Sequence, residues 1–190
     1  MKDRARRLLR PLVRLLVRLG ISPNMLTFTG FLVTTLAGYF YAMGRFTLAA
    51  FVLLFAGLFD VFDGDVARLS NKVTRYGAFL DSTLDRFTEF FVFSGFIYYF
   101  QKDFLMVFLL VTALFLSLMV SYTRARGEGL GYSSRKGPMD RAARYFYVIG
   151  ISFLPKAHFE LYIIVFIILT FITVVRRIVD LTRLNEIKEV

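Results

Sequence analysis

A chain of 190 residues is long enough for one domain, and 57% of this one is hydrophobic, including 23 Phe. A water-soluble domain of that size cannot hide so many large apolar side chains, so the bilayer is their natural solvent. The net charge of +10 suits anionic lipid or an anionic substrate; nucleic acid is a poor reading, because the basic residues punctuate hydrophobic stretches instead of forming a soluble surface. The absence of cysteine excludes disulfides, thiolate metal sites and a cysteine nucleophile.

Taken from the N-terminus, residues 4–20 read as an amphipathic helix. Leu8, Leu12, Leu15, Leu16 and Leu19 fall on one side, with Arg4, Arg7, Arg10, Arg14 and Arg18 on the other. This is the pattern of a helix lying in the membrane interface. An ordinary solvated arginine face on a helix packed against protein is the plainer alternative. Pro11 is expected to begin the helix proper or to kink it. The same arginines interrupt the apolar core that a signal peptide needs.

Ser22-Pro23-Asn24 marks the next helix start, with Ser22 as cap and Pro23 at the first position. Six membrane spans are expected after it, over residues 24–43, 46–66, 78–100, 104–123, 141–155 and 158–178. A span needs about 20 residues, and the fifth falls short of that. The fold expected is all-α: one domain over 1–190, an integral membrane six-helix bundle preceded by the interfacial helix. With the N-terminus in the cytoplasm, the outer loops hold only Arg45, Lys102 and Lys156, and the other 21 Lys and Arg lie on the inner side. Both termini are then cytoplasmic, in a protein of the cell membrane. His158, the lone histidine, lies on the outer side and reads as an interfacial or loop residue.

Between positions 60 and 85 sit five aspartates: Asp60, Asp63, Asp65, Asp81 and Asp85, followed by Glu89. Ionisable groups at the ends of spans are costly and mark function by default. Asp60 and Asp63 share a face at the inner end of span two, continued by Gly64, Ala67 and Arg68. Gly77, Asp81 and Asp85 form one stripe at the start of span three. A short loop joins the two spans, so the carboxylate faces can meet at the inner membrane boundary. Carboxylates that converge repel one another and need cations between them. Oxygen-only ligands favour Mg²⁺, Mn²⁺ or Ca²⁺ over zinc, and two hard cations suit phosphoryl chemistry. Ordinary ion pairing with Arg68, Arg75 and Arg86 would account for one or two of these acids, not for all five. Asp65 reads as a solvated or supporting residue, and Glu89 as structural.

The run Asp60-x2-Asp63-Gly64-x2-Ala67-Arg68-x8-Gly77-x3-Asp81-x3-Asp85 resembles the signature of the CDP-alcohol phosphotransferase family at every fixed position. Pro23 to Thr27 and the layout of the whole chain resemble it too. The resemblance implies that Asp60, Asp63, Asp81 and Asp85 bind two metal ions, Mg²⁺ or alternatively Mn²⁺, that carry the diphosphate of a CDP-lipid. It implies that Gly64, Ala67, Arg68 and Gly77 make room for and contact the nucleotide, with Asp63 beside them. It makes Asp85 the general base that takes the proton of the acceptor hydroxyl, with CMP as the leaving group. It also implies a homodimer.

A second basic set bears on the acceptor. Ser121 to Arg126 ends span four, Asp140 to Arg144 opens span five and Arg176-Arg177 closes span six, all on the side of the aspartates. Arginines from three helices can enclose a phosphate; positive-inside topology alone would also place them there. These runs resemble the subgroup that uses inositol phosphate, the phosphatidylinositol-phosphate synthases and their archaeal counterparts. By that resemblance Arg124, Arg141 and Arg177 hold the acceptor phosphate. Arg124 stands where the family has Lys, Gly127 where it has Ala and Asp140 where it has Glu. Glycerol-3-phosphate is the rival acceptor. A cation transporter or channel lined by the aspartates is the rival of another class, though neither broken helices nor repeat symmetry is evident. A catalytically silent lipid-binding protein is a third reading, which the complete signature disfavours.

Overall fold

The structure is a computed structural model that describes residues 2–132 and 137–188, with side chains described for 10–132 and 137–180. Among the described residues it is all-helical. Seven α-helices follow one another: α1 (Lys2–Arg18), α2 (Pro23–Ala42), α3 (Phe46–Leu69), α4 (Arg75–Tyr99), α5 (Phe104–Gly129), α6 (Arg141–Ile151) and α7 (Phe159–Lys188), with a 3₁₀ turn at Lys156–His158 before the last.

Local chemistry sets the helix starts. Ser22 Oγ accepts from the Met25 amide and Pro23 occupies the first turn, where its missing N–H costs nothing. Thr74, Asp103 and Asp140 cap α4, α5 and α6 in the same way. α1 runs from Lys2 through Pro11, so Pro11 does not begin that helix. Its Val13 packs with Leu26, Phe62 and Val66, which seats α1 on α2 and α3, while Arg10, Arg14 and Arg18 stay outside the core. Leu12, Leu15 and Leu19 are also exposed. The side chains of Arg4, Arg7 and Leu8 lie outside the described residues.

Among the described residues, four helical stretches are long and apolar enough to cross a membrane: α2, α3, α5 and Lys156–Asp180. The two other expected spans differ for physical reasons. α4 has the length, at 25 residues, but carries Asp81, Asp85, Arg86 and Glu89 between its first turns and its middle. α6 has only 11 residues, about 16 Å of helix against a hydrocarbon core of about 30 Å. The chain leaves α6 through Ser152 and Pro155 and turns directly into α7.

Helices in a bilayer gain little from the hydrophobic effect when they meet, so contact must come from close packing and polar links. α2 packs extensively on both α3 and α4, and α5 on α7. A Cβ at Gly38 would lie 2.5 Å from the Phe91 carbonyl oxygen, and one at Gly95 would fall on the Gly38 carbonyl, so both crossing points require glycine. The far end, away from the aspartates, closes on aromatic rings: Phe46 stands 5.3 Å from Phe96 and 5.2 Å from Phe159, centroid to centroid. Lys156 Nζ lies 4.5 Å over the Phe46 ring and donates to the Gly44 carbonyl. That interior is packed, which leaves the opposite end as the place for chemistry.

Gly95→Ala is expected to lower stability by about 3 kcal/mol, because the methyl meets backbone that cannot yield. Thermal unfolding in detergent reads the loss, and Ala at the open position Gly129 serves as the neutral control.

Candidate active site

The C-terminus of α3 and the N-termini of α2, α4 and α6 meet on the side opposite the aromatic cluster. α3 arrives there at its C-terminus and α4 departs from it, with residues 70–74 between them. Asp60 and Asp63 on α3 and Asp81 on α4 present carboxylate oxygens that all lie within 4.8 Å of one another. Asp63 is buried, Asp81 half-buried and Asp60 exposed, so the cluster runs from the bundle wall out to water. Three converging hard oxygens with little room to separate match the donor set of Mg²⁺ or Mn²⁺. The residues fit a divalent ion.

The first turn of α2 supports the cluster. Thr27 Oγ1 donates to Asp63 Oδ2 at 2.7 Å, which orients the buried carboxylate. A Cβ at Gly77 would stand 3.4 Å from Asn24 Oδ1, so Asn24 lies against the glycine of the signature. Pro23-Asn24-x-Leu26-Thr27 thus does more than start a helix. Sequence reasoning noticed the run without giving Thr27 a role; its spacing to Asp63, 36 residues away, carries no local signal.

Arg68 lies over Gly64, where a Cβ would stand 3.2 Å from its guanidinium, and it pairs with Asp65 at 2.6 Å. Asp65 therefore supports Arg68, as one of its two expected readings has it. Ala67 is half-buried on the same helix.

Asp85 stands apart from the three clustered carboxylates. It is buried, and both its oxygens meet arginine: Oδ1 accepts from Arg141 and Oδ2 lies 3.3 Å from Arg86 Nη1. Arg141 Nη2 also reaches Asp60 Oδ1 at 3.1 Å. One guanidinium from the first turn of α6 therefore bridges the carboxylates of α3 and α4.

The three arginines expected around a phosphate occupy different settings. Arg141 faces the aspartates. Arg124 is exposed and pairs with Glu128 at 2.9 Å. Arg177 is buried and donates to the Val120 carbonyl of α5, within the electrostatic reach of Arg124 and Arg144. Arg144, absent from the expected set, is as buried as Arg177, each at 3% exposure. It reaches Glu89 at 2.6 Å, Ser121 Oγ at 3.0 Å and the Met139 carbonyl at 3.1 Å, and Ser117 donates to the other Glu89 oxygen. A polar network thus ties α4, α5 and α6 together one turn below the Arg141–Asp85 contact. Helical spacing is the signal that was available for it: Glu89 follows Asp85 by four residues and Arg144 follows Arg141 by three.

The loop before α6 is held from α7. Thr173 Oγ1 accepts from the Met139 amide at 3.0 Å. Gly137, with φ of +128°, sits where a Cβ would collide with Thr173. These contacts fix where α6 begins and so where Arg141 points.

The sequence and the fold both have known relatives. The family profile of CDP-alcohol phosphatidyltransferase matches residues 20–179. The archaetidylinositol phosphate synthase of Pyrococcus horikoshii is 33% identical over 166 residues, covering 87% of this chain and 86% of that protein. The phosphatidylinositol phosphate synthase of Mycobacterium marinum is 34% identical over 157 residues, covering 78% of this chain and 67% of that one. In three dimensions the fold is similar to the phosphatidylinositol phosphate synthase of Mycobacterium tuberculosis solved with CDP-DAG bound. The TM-score is 0.84 and the identity 29%, with 90% of this chain and 92% of that chain covered. The same enzyme has been solved with manganese and citrate, at a TM-score of 0.81 over 88% of this chain and 86% of that one. The chain belongs to the CDP-alcohol phosphatidyltransferase family.

Proposed function

We propose that this protein transfers a phosphatidyl-type group from a CDP-lipid, with diacylglycerol or archaeol tails, to inositol phosphate and releases CMP. The observation that carries the reaction is the convergence of Asp60, Asp63 and Asp81 beside Asp85 and Arg141 in the family's signature spacing. The names of the relatives from Pyrococcus and Mycobacterium support inositol phosphate over glycerol-3-phosphate as acceptor. Membership of an enzyme family sets the transporter and silent-binder readings aside.

Each residue then has a task. Asp60, Asp63, Asp81 and Asp85 would hold two Mg²⁺ or Mn²⁺ ions, which when bound neutralise the donor diphosphate and polarise its phosphorus. A relative solved with manganese supports that choice of metal. Gly64, Ala67 and Gly77 leave room for the nucleotide, and Arg68, braced by Asp65, faces the phosphate that leaves with CMP. Asp85 takes the proton from the acceptor hydroxyl as its oxygen attacks the lipid-bearing phosphorus. Arg141, with Arg124 and Arg177, holds the acceptor phosphate, a task suited to the planar guanidinium fork.

The same reading extends to the setting. Residues 1–190 form one membrane domain of six spans, with α4 and the short α6 completing the bundle among their neighbours. α1 lies in the membrane interface with Arg10, Arg14 and Arg18 toward the headgroups, and Leu12, Leu15 and Leu19 toward the acyl chains. The active site and both termini face the cytoplasm of a cell-membrane protein, and two copies pair as a homodimer.

The acceptor is tested by CMP release from purified protein with Mg²⁺ and a CDP-lipid, offered inositol phosphate, glycerol-3-phosphate, free inositol or serine. Release with inositol phosphate alone is expected; release with glycerol-3-phosphate instead would retain the site and overturn the acceptor. Asp85→Asn is expected to keep CDP-lipid binding while turnover falls by about 10²- to 10⁴-fold. Turnover at the wild-type rate would remove Asp85 as the base. Asp63→Asn is expected to weaken Mn²⁺ binding, read by electron paramagnetic resonance, together with activity. Unchanged Mn²⁺ binding would exclude Asp63 as a ligand.

A further inference from the structure

α1 carries a groove that no step of the transfer reaction uses. Arg10, Arg14 and Arg18 stand four residues apart, so they stack on one face of the helix at intervals of about 6 Å. With Pro11 and Leu15 they line an open groove of about 600 Å³. All three arginines are exposed, and none forms a hydrogen bond or ion pair among the described residues. By contrast, Arg68 pairs with Asp65, Arg124 with Glu128 and Arg144 with Glu89. Like charges four residues apart on a helix repel one another, so the stripe favours anions from outside the chain.

The rest of the helix selects which anions. Leu12, Leu15 and Leu19 are exposed as well, whereas Val13 is buried and Leu16 and Val17 pack beside it, against Leu26, Phe62 and Val66. At 3.6 residues per turn, the order around α1 is arginine stripe, groove, exposed leucines, packed face. The groove therefore lies on a border between charge and apolar surface. A phospholipid has the same border between its phosphate and its acyl chains. A free phosphate would satisfy the arginines and leave the leucines uncovered. The stripe has two gaps, Arg10–Arg14 and Arg14–Arg18, and each offers two guanidinium forks to one phosphate. Arg14 belongs to both gaps.

We propose that this groove is a binding site for anionic phospholipid, with phosphates seated between successive arginines and acyl chains running over Pro11 and Leu15. The site rests on the reading of α1 as an interfacial helix. Val13 ties α1 to α2 and α3, so lipid held here is fastened to the helices that carry the aspartates. The arginines do more than face the headgroup layer: they hold particular lipids in a fixed register.

The test uses the full chain in nanodiscs of phosphatidylcholine. Spin-labelled phosphatidylglycerol or spin-labelled phosphatidylcholine is added, and the immobilised fraction is measured. Wild type is expected to favour the anionic lipid, and wild type without that preference overturns the site before any variant is made. Arg10→Gln or Arg18→Gln is expected to weaken the preference about fivefold, the worth of one basic residue at an anionic surface. Arg14→Gln, which removes a fork from both gaps, should weaken it more than either. Arg14→Lys keeps the charge and loses the fork, and it should fall with Arg14→Gln. Equal losses at the three positions, or an Arg14→Lys that binds as wild type does, would mean diffuse attraction to a basic surface and overturn the groove. Inorganic phosphate should displace no more labelled lipid than chloride of the same ionic strength; greater displacement would make the occupant a free anion. Thermal unfolding in detergent checks that each variant is folded. The chain has no Trp, so Leu12→Trp, outside the groove lining, supplies a single reporter for quenching by brominated lipid. A Trp that brominated lipid does not quench would sink the interfacial helix and the groove together, whereas quenching without a lipid preference would sink the groove alone.

Discussion

Negative charge crowded at one end of a membrane bundle is the constraint on which the rest of this structure depends. Asp60, Asp63, Asp81 and Asp85 descend from two helices into a space that only partly admits water. Unscreened carboxylates at such separations repel each other strongly where the dielectric is low. The fold answers with cations carried on α4 itself and on α6. Arg86 and Arg141 meet Asp85, Arg141 spans to Asp60, and Thr27 lends a hydroxyl to Asp63. The oxygens of Asp60, Asp63 and Asp81 remain together as a donor set for metal.

That arrangement demands rigidity in the helices that carry it. The α3–α4 pair is held from behind by α2, whose Gly38 lets its backbone touch α4 at Phe91 and Gly95. α6 is too short to be held by apolar surface alone. Its position comes from the buried Arg144–Glu89 pair, from Tyr145 donating to the Leu53 carbonyl of α3, and from the Met139–Thr173 bond to α7. Removing one partner of a buried pair leaves an uncompensated charge, so such links are costly to break even where they add little net stability. The polar network beneath the site therefore acts as its foundation.

The sequence made the aspartates and the helices legible because both obey short-range rules. Apolar runs of span length, Ser22-Pro23 as a start, and carboxylates three or four residues apart depend on neighbours along the chain. The arginines were harder to read. Arg124, Arg141 and Arg177 fall at suitable helix ends, yet position along a helix does not say which partner a long side chain reaches. Arg141 lies on Asp85, Arg124 on Glu128 and Arg177 on the Val120 carbonyl. Arg144 and Glu89 escaped notice as a pair because 55 residues separate them, and only the packing of α6 on the bundle joins them. The extent of α6 was misjudged for a related reason. Hydropathy reported an apolar stretch through Pro155, while the helix stops at Ile151 and the chain turns.

The shortness of α6 has an evolutionary consequence. On the proposed reading, the groups that break the donor's bond belong to α3 and α4, while the arginines assigned to the acceptor belong to α5, α6 and α7. That reading writes bond breaking and head-group choice on separate parts of one bundle. Mutations around the start of α6 can retune which alcohol is received while the cleavage machinery stays intact. A lineage carrying such a scaffold can diversify the chemistry of its membrane surface by drift on a single eleven-residue helix and its immediate neighbours.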